Sequence, residues 1–297
     1  MNKDKHNRNL IDRLYGGLNM SWPAVIIFAV GTAVLTAVFL IIPVFKDTSF
    51  IRMGVTVEAW IFFAVIIMAN AKSPLESALK TFVFFLVSQP LIYLIQVLFS
   101  SLDWSLFRYY GYWFRLTLLT FPAAYIGWYI TKKNWLSAAI LAPVLAYLGV
   151  TAYESLMHCI RHFPYLLVAC LFCILQIVLY VLAFLPGKKR IIGAAIPIAA
   201  ALFMFFAVPE VDVNATVFLP DDAVLTDAAE IIMEDDAKIQ VSIAYTGPDS
   251  MVRVQTKNFG SIDFTIRDGD AEYYYTAEVY EDEGGHSQIR VTPRLPE

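Results

Sequence analysis

Few side chains in this chain have the type and spacing to do chemistry, and they lie far apart. Glu154, His158 and His162 recur at i, i+4 and i+8, so a helix there would present one carboxylate and two imidazoles on a single face, with Cys159 beside them. These three are the candidate metal ligands. A water-facing interfacial helix accounts for the same spacing, and the sequence supplies none of the outer partners that metal-bound imidazoles need. Cys170 and Cys173 stand three apart in an apolar stretch, where a helix holds them on one face as packing residues. Ser88, Gln89 and Pro90 interrupt another apolar stretch, and Pro90 frees the carbonyl of Leu86. That makes a candidate helix break of the kind that builds substrate sites in transporters, with the ordinary frequency of proline in membrane helices as the plainer explanation.

Acidic clusters at Asp221/Asp222, Glu234/Asp235/Asp236, Asp268/Asp270 and Glu281/Asp282/Glu283 offer oxygens that suit calcium, although no EF-hand spacing is present and surface solubility explains them equally well. There is no G-x-S-x-G, and His286 is the sole histidine after His162. No catalytic residue, cofactor or nucleotide site is implied, which argues against an enzyme. No nucleic-acid partner is implied either.

The elements that would position these residues are mostly membrane helices. A chain of 297 residues with 58% hydrophobic and only 16% charged residues lies far from the soluble globular range of about 25% charged. Apolar runs at 24–45, 57–71, 81–99, 112–130, 135–150, 165–184 and 191–208 predict seven transmembrane helices, and the last of them is long enough to cross about 27 Å. Residues 1–21 predict a cytoplasmic amphipathic segment on the inner membrane surface, with Leu10, Ile11, Leu14 and Leu18 at helical spacing among Lys and Arg. The run after it is too long for a signal-peptide core and lacks a small-residue cleavage site, so it is expected to remain as the first span. Alternate connections carry eleven basic residues on the N-terminal side and five on the other, which predicts a cytoplasmic N-terminus. The six tryptophans fall near span ends, as interfacial aromatics should.

Charge divides the chain sharply. Residues 1–209 carry +9 and residues 210–297 carry −13, with no cysteine after Cys173. The region 209–297 is therefore expected to be an extracytoplasmic acidic domain that folds without disulfides. Its hydrophobic period shifts to two: Val211 to Leu219, Ile239 to Tyr245, Met251 to Lys257, Ile262 to Ile266, Tyr273 to Val279 and Ile289 to Val291 predict six strands separated by glycine- and aspartate-rich breakers. A small antiparallel β-sandwich, immunoglobulin-like in general shape, follows. The segment Asp227 to Glu230 starts like a capping box and predicts either a helical turn or the edge of a strand. Asn214-Ala-Thr216 is a glycosylation sequon.

Alternation places Tyr273 and Tyr275 with Ala277 and Val279 in the core, which turns Tyr274 and Tyr280 outward as candidate partner-binding residues. Taken together, the sequence predicts a multi-pass protein of the cell membrane, its helices in contact with the lipid bilayer. On this reading it anchors an external β domain for binding, sensing or envelope-complex assembly with a protein partner on the outside. The alternative is a transporter, or the membrane subunit of one, for a neutral or apolar solute, since no charged residue is expected near a midplane.

Overall fold

The computed structural model describes residues 10–45, 48–100, 103–207, 211–220, 224–233, 237–248, 250–282 and 286–295. The chain divides into two compact units, Met1–Met204 and Phe205–Glu297.

The first unit is helical: α1 (Leu10–Leu14), α2 (Trp22–Ile41), α3 (Ser49–Val55), α4 (Val57–Ala69), α5 (Pro74–Val97), α6 (Tyr110–Gly127), α7 (Trp135–Arg161), α8 (Leu167–Phe184) and α9 (Lys189–Ala207), the last three residues of α9 falling in the second unit. Helix starts carry local signals. Ser73 accepts the Glu76 amide ahead of α5, with Pro74 at its first position. Asn134 and Ser137 cap each other's backbone at the start of α7. Among the described residues, five helices (α2, α5, α7, α8 and α9) are long and apolar enough to cross a membrane, and a sixth span results if α3 and α4 count as one bent element. The predicted fourth span, 112–130, is present as the helix α6, but Arg115 and its Tyr/Trp-rich first turn dilute its apolar character, so it is not among these.

Packing depends on small residues. Ala29, Ala33 and Ala37 of α2 are fully buried at i, i+4 and i+8 and let a neighbouring helix approach closely. Helix α4 is the hub. Trp60 and Ile67 join a cluster with α2 and α5, while Val65, Met68 and Ala69 join a second with α7 and α8 that includes Leu141, Leu145 and Tyr180.

Several expectations need correction. Residues 57–71 were expected as one span, but α3 precedes α4 with a 62° bend between them. The predicted fifth span ends at Val150, whereas α7 continues to Arg161, so Glu154 and His158 lie on the same helix and His162 caps its end. Residues 10–18 also pack on the helical unit: Tyr15 packs edge-on against Tyr180 and Phe184, and Asn70 accepts the Leu18 amide at 2.8 Å and donates to the Leu14 carbonyl at 2.7 Å. Residues 1–9 and Val208, the end of the predicted last span, lie outside the described residues.

The second unit holds, among its described residues, seven strands: β1 (Val213–Phe218), β2 (Glu230–Ile232), β3 (Ile239–Tyr245), β4 (Met251–Thr256), β5 (Gly260–Asp268), β6 (Ala271–Glu281) and β7 (Ser287–Pro293). They form two antiparallel sheets, one in the order β1-β4-β3 and one in the order β2-β5-β6-β7. Both sheets contribute to one hydrophobic cluster, with Val252 and Val254 from β4, Phe264 and Ile266 from β5, and Tyr275, Ala277 and Val279 from β6. Phe264 and Tyr275 face each other across β5 and β6 with ring centroids 5.6 Å apart. The Asp227 segment is a turn leading into the short edge strand β2, which settles that alternative in favour of a strand edge.

Candidate functional site

The helix break at Thr56 arises from its sequence. Gly54-Val55-Thr56-Val57 combines a weak helix former with three β-branched residues, which lose side-chain freedom in a helix. Thr56 adopts an extended conformation (φ −104°, ψ 165°), and both its amide and its hydroxyl return to the Arg52 carbonyl, at 3.0 and 2.6 Å. The same hydroxyl contacts the Glu58 carboxylate. Glu58 lies in the first turn of α4, where the helix N-terminus favours a negative charge, and it is 0% exposed. Its second oxygen has no hydrogen-bond partner. Tyr147 of α7 and Cys173 of α8 lie within electrostatic reach of it. Arg52 approaches Glu154 of α7 at 4.0 Å. A buried acid and a guanidinium paired with a second acid thus flank the bend, an arrangement the sequence reading missed. The available signal was a glutamate adjoining a β-branched run within apolar sequence.

A cavity of about 560 Å³ opens beside α4, within the usual range for small-molecule sites. One stripe of α4 (Val57, Trp60, Ile61, Ala64, Val65 and Met68) forms its floor, with walls from α5, α6, α7 and the turn holding Ile130. The walls are almost wholly apolar. Thr117 and Thr120 spend their hydroxyls on carbonyls of their own helix, whereas the Thr81 hydroxyl is buried without a partner. No charged residue is in its lining, so the cavity suits an apolar body.

The sequence-derived candidates are dispersed differently. Glu154, His158 and His162 do not meet as a metal site: among the described residues, no three His, Cys, Asp or Glu come together to hold an ion. Ser88 and Gln89 are buried, at 0% and 3% exposure, but α5 stays helical through Pro90 and the two side chains do not line the cavity. Cys159, Cys170 and Cys173 are free and buried. Of the acidic clusters, Asp268 accepts the Thr226 amide at 2.7 Å and Asp282 the His286 amide at 2.8 Å, so both carboxylates organise turns. Asp221, Asp222, Glu234, Asp235, Asp236 and Glu283 lie outside the described residues.

Tyr274 and Tyr280 alternate with the core-facing Tyr275, Ala277 and Val279 and project from the opposite face of β6, half-buried in a polar lattice. The Tyr274 hydroxyl donates to Glu272 at 2.7 Å, and Arg267 pairs with the same carboxylate at 3.0 Å. The Tyr274 hydroxyl, followed by Arg267, holds the Glu272 carboxyl below its ordinary value. The Arg290 guanidinium lies over the Tyr280 ring, 5.0 Å from its centre.

The other sheet presents a contrasting surface. On its outward face Asn214, Gln255 and Gln240 form one cross-strand row, and Thr216, Arg253 and Ser242 form the next. The third row is Phe218, Met251 and Tyr245, with Phe218 61% and Tyr245 62% exposed. No protein-family model matches this chain, and neither a curated protein nor a solved structure matches it.

Proposed function

We propose that this chain is a seven-span protein of the cell membrane, with a cytoplasmic N-terminus, that presents its C-terminal unit outside as a β-sandwich for binding a protein partner. The topology is supported by one end of the helical unit. There Lys132 lies 4.3 Å over Trp128, Lys189 lies 5.6 Å over Trp135 and donates to the Lys133 carbonyl, and Trp128 donates to the Ala71 carbonyl beside Lys72. A basic, tryptophan-lined end is assigned to the cytoplasm by the positive-inside rule. Lys80 adds little to that argument, being buried and paired with Glu76. In this reading α3 with α4 forms one span, α6 another, and the bilayer surrounds both.

The observation that carries the binding role is the row Phe218–Met251–Tyr245. Two large exposed aromatics flanking a methionine, on a face otherwise polar, form the kind of patch that anchors protein interfaces. The −13 charge of residues 210–297 steers basic partners over a Debye length of about 8 Å at physiological salt, so association slows as salt rises. Tyr274 and Tyr280 are the second candidate surface, though their polar lattice leaves them less free to rearrange. A photo-crosslinking amino acid placed in turn at Phe218, Tyr245, Tyr274 and Tyr280 of the full chain in native membranes tests this. A discrete adduct from the first pair is expected. Adducts from Tyr274 and Tyr280 alone would move the interface to the other sheet, and the absence of discrete adducts at all four would reject the binding role.

The apolar cavity favours a second reading, a carrier for an apolar solute. It predicts that solute occupancy alters the exposure of α4, which hydrogen exchange in detergent would register.

A further inference from the structure

The cavity between α4, α5, α6 and α7 has a charged group at its rim. Along α6 its lining runs from Tyr112 to Gly127, a rise of about 22 Å at 1.5 Å per residue, which exceeds half of a hydrocarbon core. On a helix of 100° per residue, Arg115 falls one step beyond Leu119 and Ile126, at the edge of the lining face and near its Tyr112 end. Arg115 is exposed, and its Nε donates to the Gly111 carbonyl at 3.2 Å, so the side chain turns back one helical turn toward the start of α6. Trp104, Tyr109, Tyr110, Tyr112 and Trp113 cluster around that start, as residues at the headgroup level do. The Arg115 guanidinium thus lies beside the Tyr112 end of a long apolar slot, among the aromatic residues that open α6.

We infer that the cavity holds one acyl chain of an anionic phospholipid, whose phosphate is bound by Arg115. The Arg115 fork suits phosphate oxygens in a way a point charge does not, and among the described residues no acidic side chain is paired with it. Along the slot the Trp60 and Trp113 rings, Met68 and Ile130 supply apolar contact over the chain's length. Of the three threonines in the lining, Thr117 and Thr120 spend their hydroxyls on their own helix and only the Thr81 hydroxyl is without a partner, so the slot offers an acyl chain almost entirely apolar surface. The inference rests on the membrane reading of the helices and is independent of the outer domain.

Trp60 provides the test, because it is 3% exposed and lipid outside the cavity does not reach it. The full-length protein is placed in phosphatidylcholine nanodiscs containing a small fraction of phosphatidylglycerol brominated along its chains. The Trp60 signal is taken as the difference between wild type and Trp60→Phe. Quenching of Trp60 is expected at low phosphatidylglycerol, with about tenfold more lipid needed in Arg115→Gln or when the brominated lipid is phosphatidylcholine, as one lost charge-assisted contact implies. Ala64→Phe, which fills the slot, should abolish the quenching while the melting temperature is retained, and Ala123→Phe repeats this from α6 should Ala64→Phe fail to fold. No quenching of Trp60 would overturn the inference. So would quenching that is equal for both lipids and indifferent to Arg115→Gln. Extraction of the protein from membranes by carbonate would instead reject the membrane reading on which the inference rests.

Discussion

The last helix touches the rest of its unit over very little surface, and one glycine controls that contact. Of α9, only Gly193 and Pro197 are buried. A Cβ built on Gly149 of α7 would lie 2.5 Å from the Pro197 carbonyl oxygen and 2.6 Å from its Cα, and backbone atoms cannot swing aside as a side chain can. Gly149→Ala therefore requires α9 to withdraw by roughly 1 Å, and overpacking of this kind costs about 1–3 kcal/mol. Against this stands the gain of about 1 kcal/mol from replacing glycine in a helix. Gly31, in the middle of α2, has nothing within 4 Å of its would-be Cβ, so Gly31→Ala collects that gain with no clash. The difference between the two variants cancels the helix propensity and leaves about 1–3 kcal/mol, or roughly 2–12 °C in melting temperature for a unit of this size. Tryptophan fluorescence during heating, in one detergent, measures it. Melting temperatures that agree within a degree would refute the close α7–α9 approach.

Residues 205–297 expressed alone should be soluble, β-rich by circular dichroism and unaffected by reductant, and Phe264→Ala should remove about 3–5 kcal/mol from a total of roughly 5–14 in urea titration. A coil or helical spectrum would reject the two-sheet core. Asp270→Cys, exposed in the β5–β6 turn, should react with a membrane-impermeant maleimide in intact cells, and labelling only after lysis would reverse the topology. Ser250 is unsuitable for that purpose, being buried with its hydroxyl engaged by the Leu225 amide. Because the folded Glu272 carboxyl is held low, its contribution is present above the unfolded carboxylate range near pH 4.3 and is lost as pH falls through the folded value. Tyr274→Phe should shift the Glu272 titration upward by NMR and destabilise the isolated domain at neutral pH but not in strong acid. An unmoved titration would show that the hydroxyl contact is absent in solution.

How much was legible depended on the range of the signal. Long apolar runs announced their helices, and the period of two fixed which of Tyr273 to Tyr280 faced the core. The break at Thr56 was hidden because α3, with Arg52 in its middle, does not look like membrane sequence until Glu58 and Arg52 are seen folded together. The stretch from Tyr153 to His162 was placed outside the fifth span because it is polar, yet α7 continues in α geometry past its apolar part to Arg161. Strand β2 is three residues long, too short for any periodicity. The Phe218–Met251–Tyr245 row needed the pairing of three strands and the irregularity between Ile243 and Tyr245, which no local pattern records. The Glu154/His158/His162 spacing was real, but three residues on one face do not converge unless a neighbour closes around them.

The shortness of α4 also bears on biogenesis. Its 13 residues rise only about 20 Å, against a hydrocarbon core of about 30 Å, and a carboxylate sits in its first turn. On insertion scales one intramembrane acid offsets roughly five or six Val, Ile or Phe residues, and α4 contains seven. Such a segment has little tendency to leave the translocon alone. If the unit spans a bilayer as proposed, α4 would enter lipid in company, since Trp60 and Ile67 pack in one cluster with α2 and α5, and its membrane residence would then depend on its neighbours.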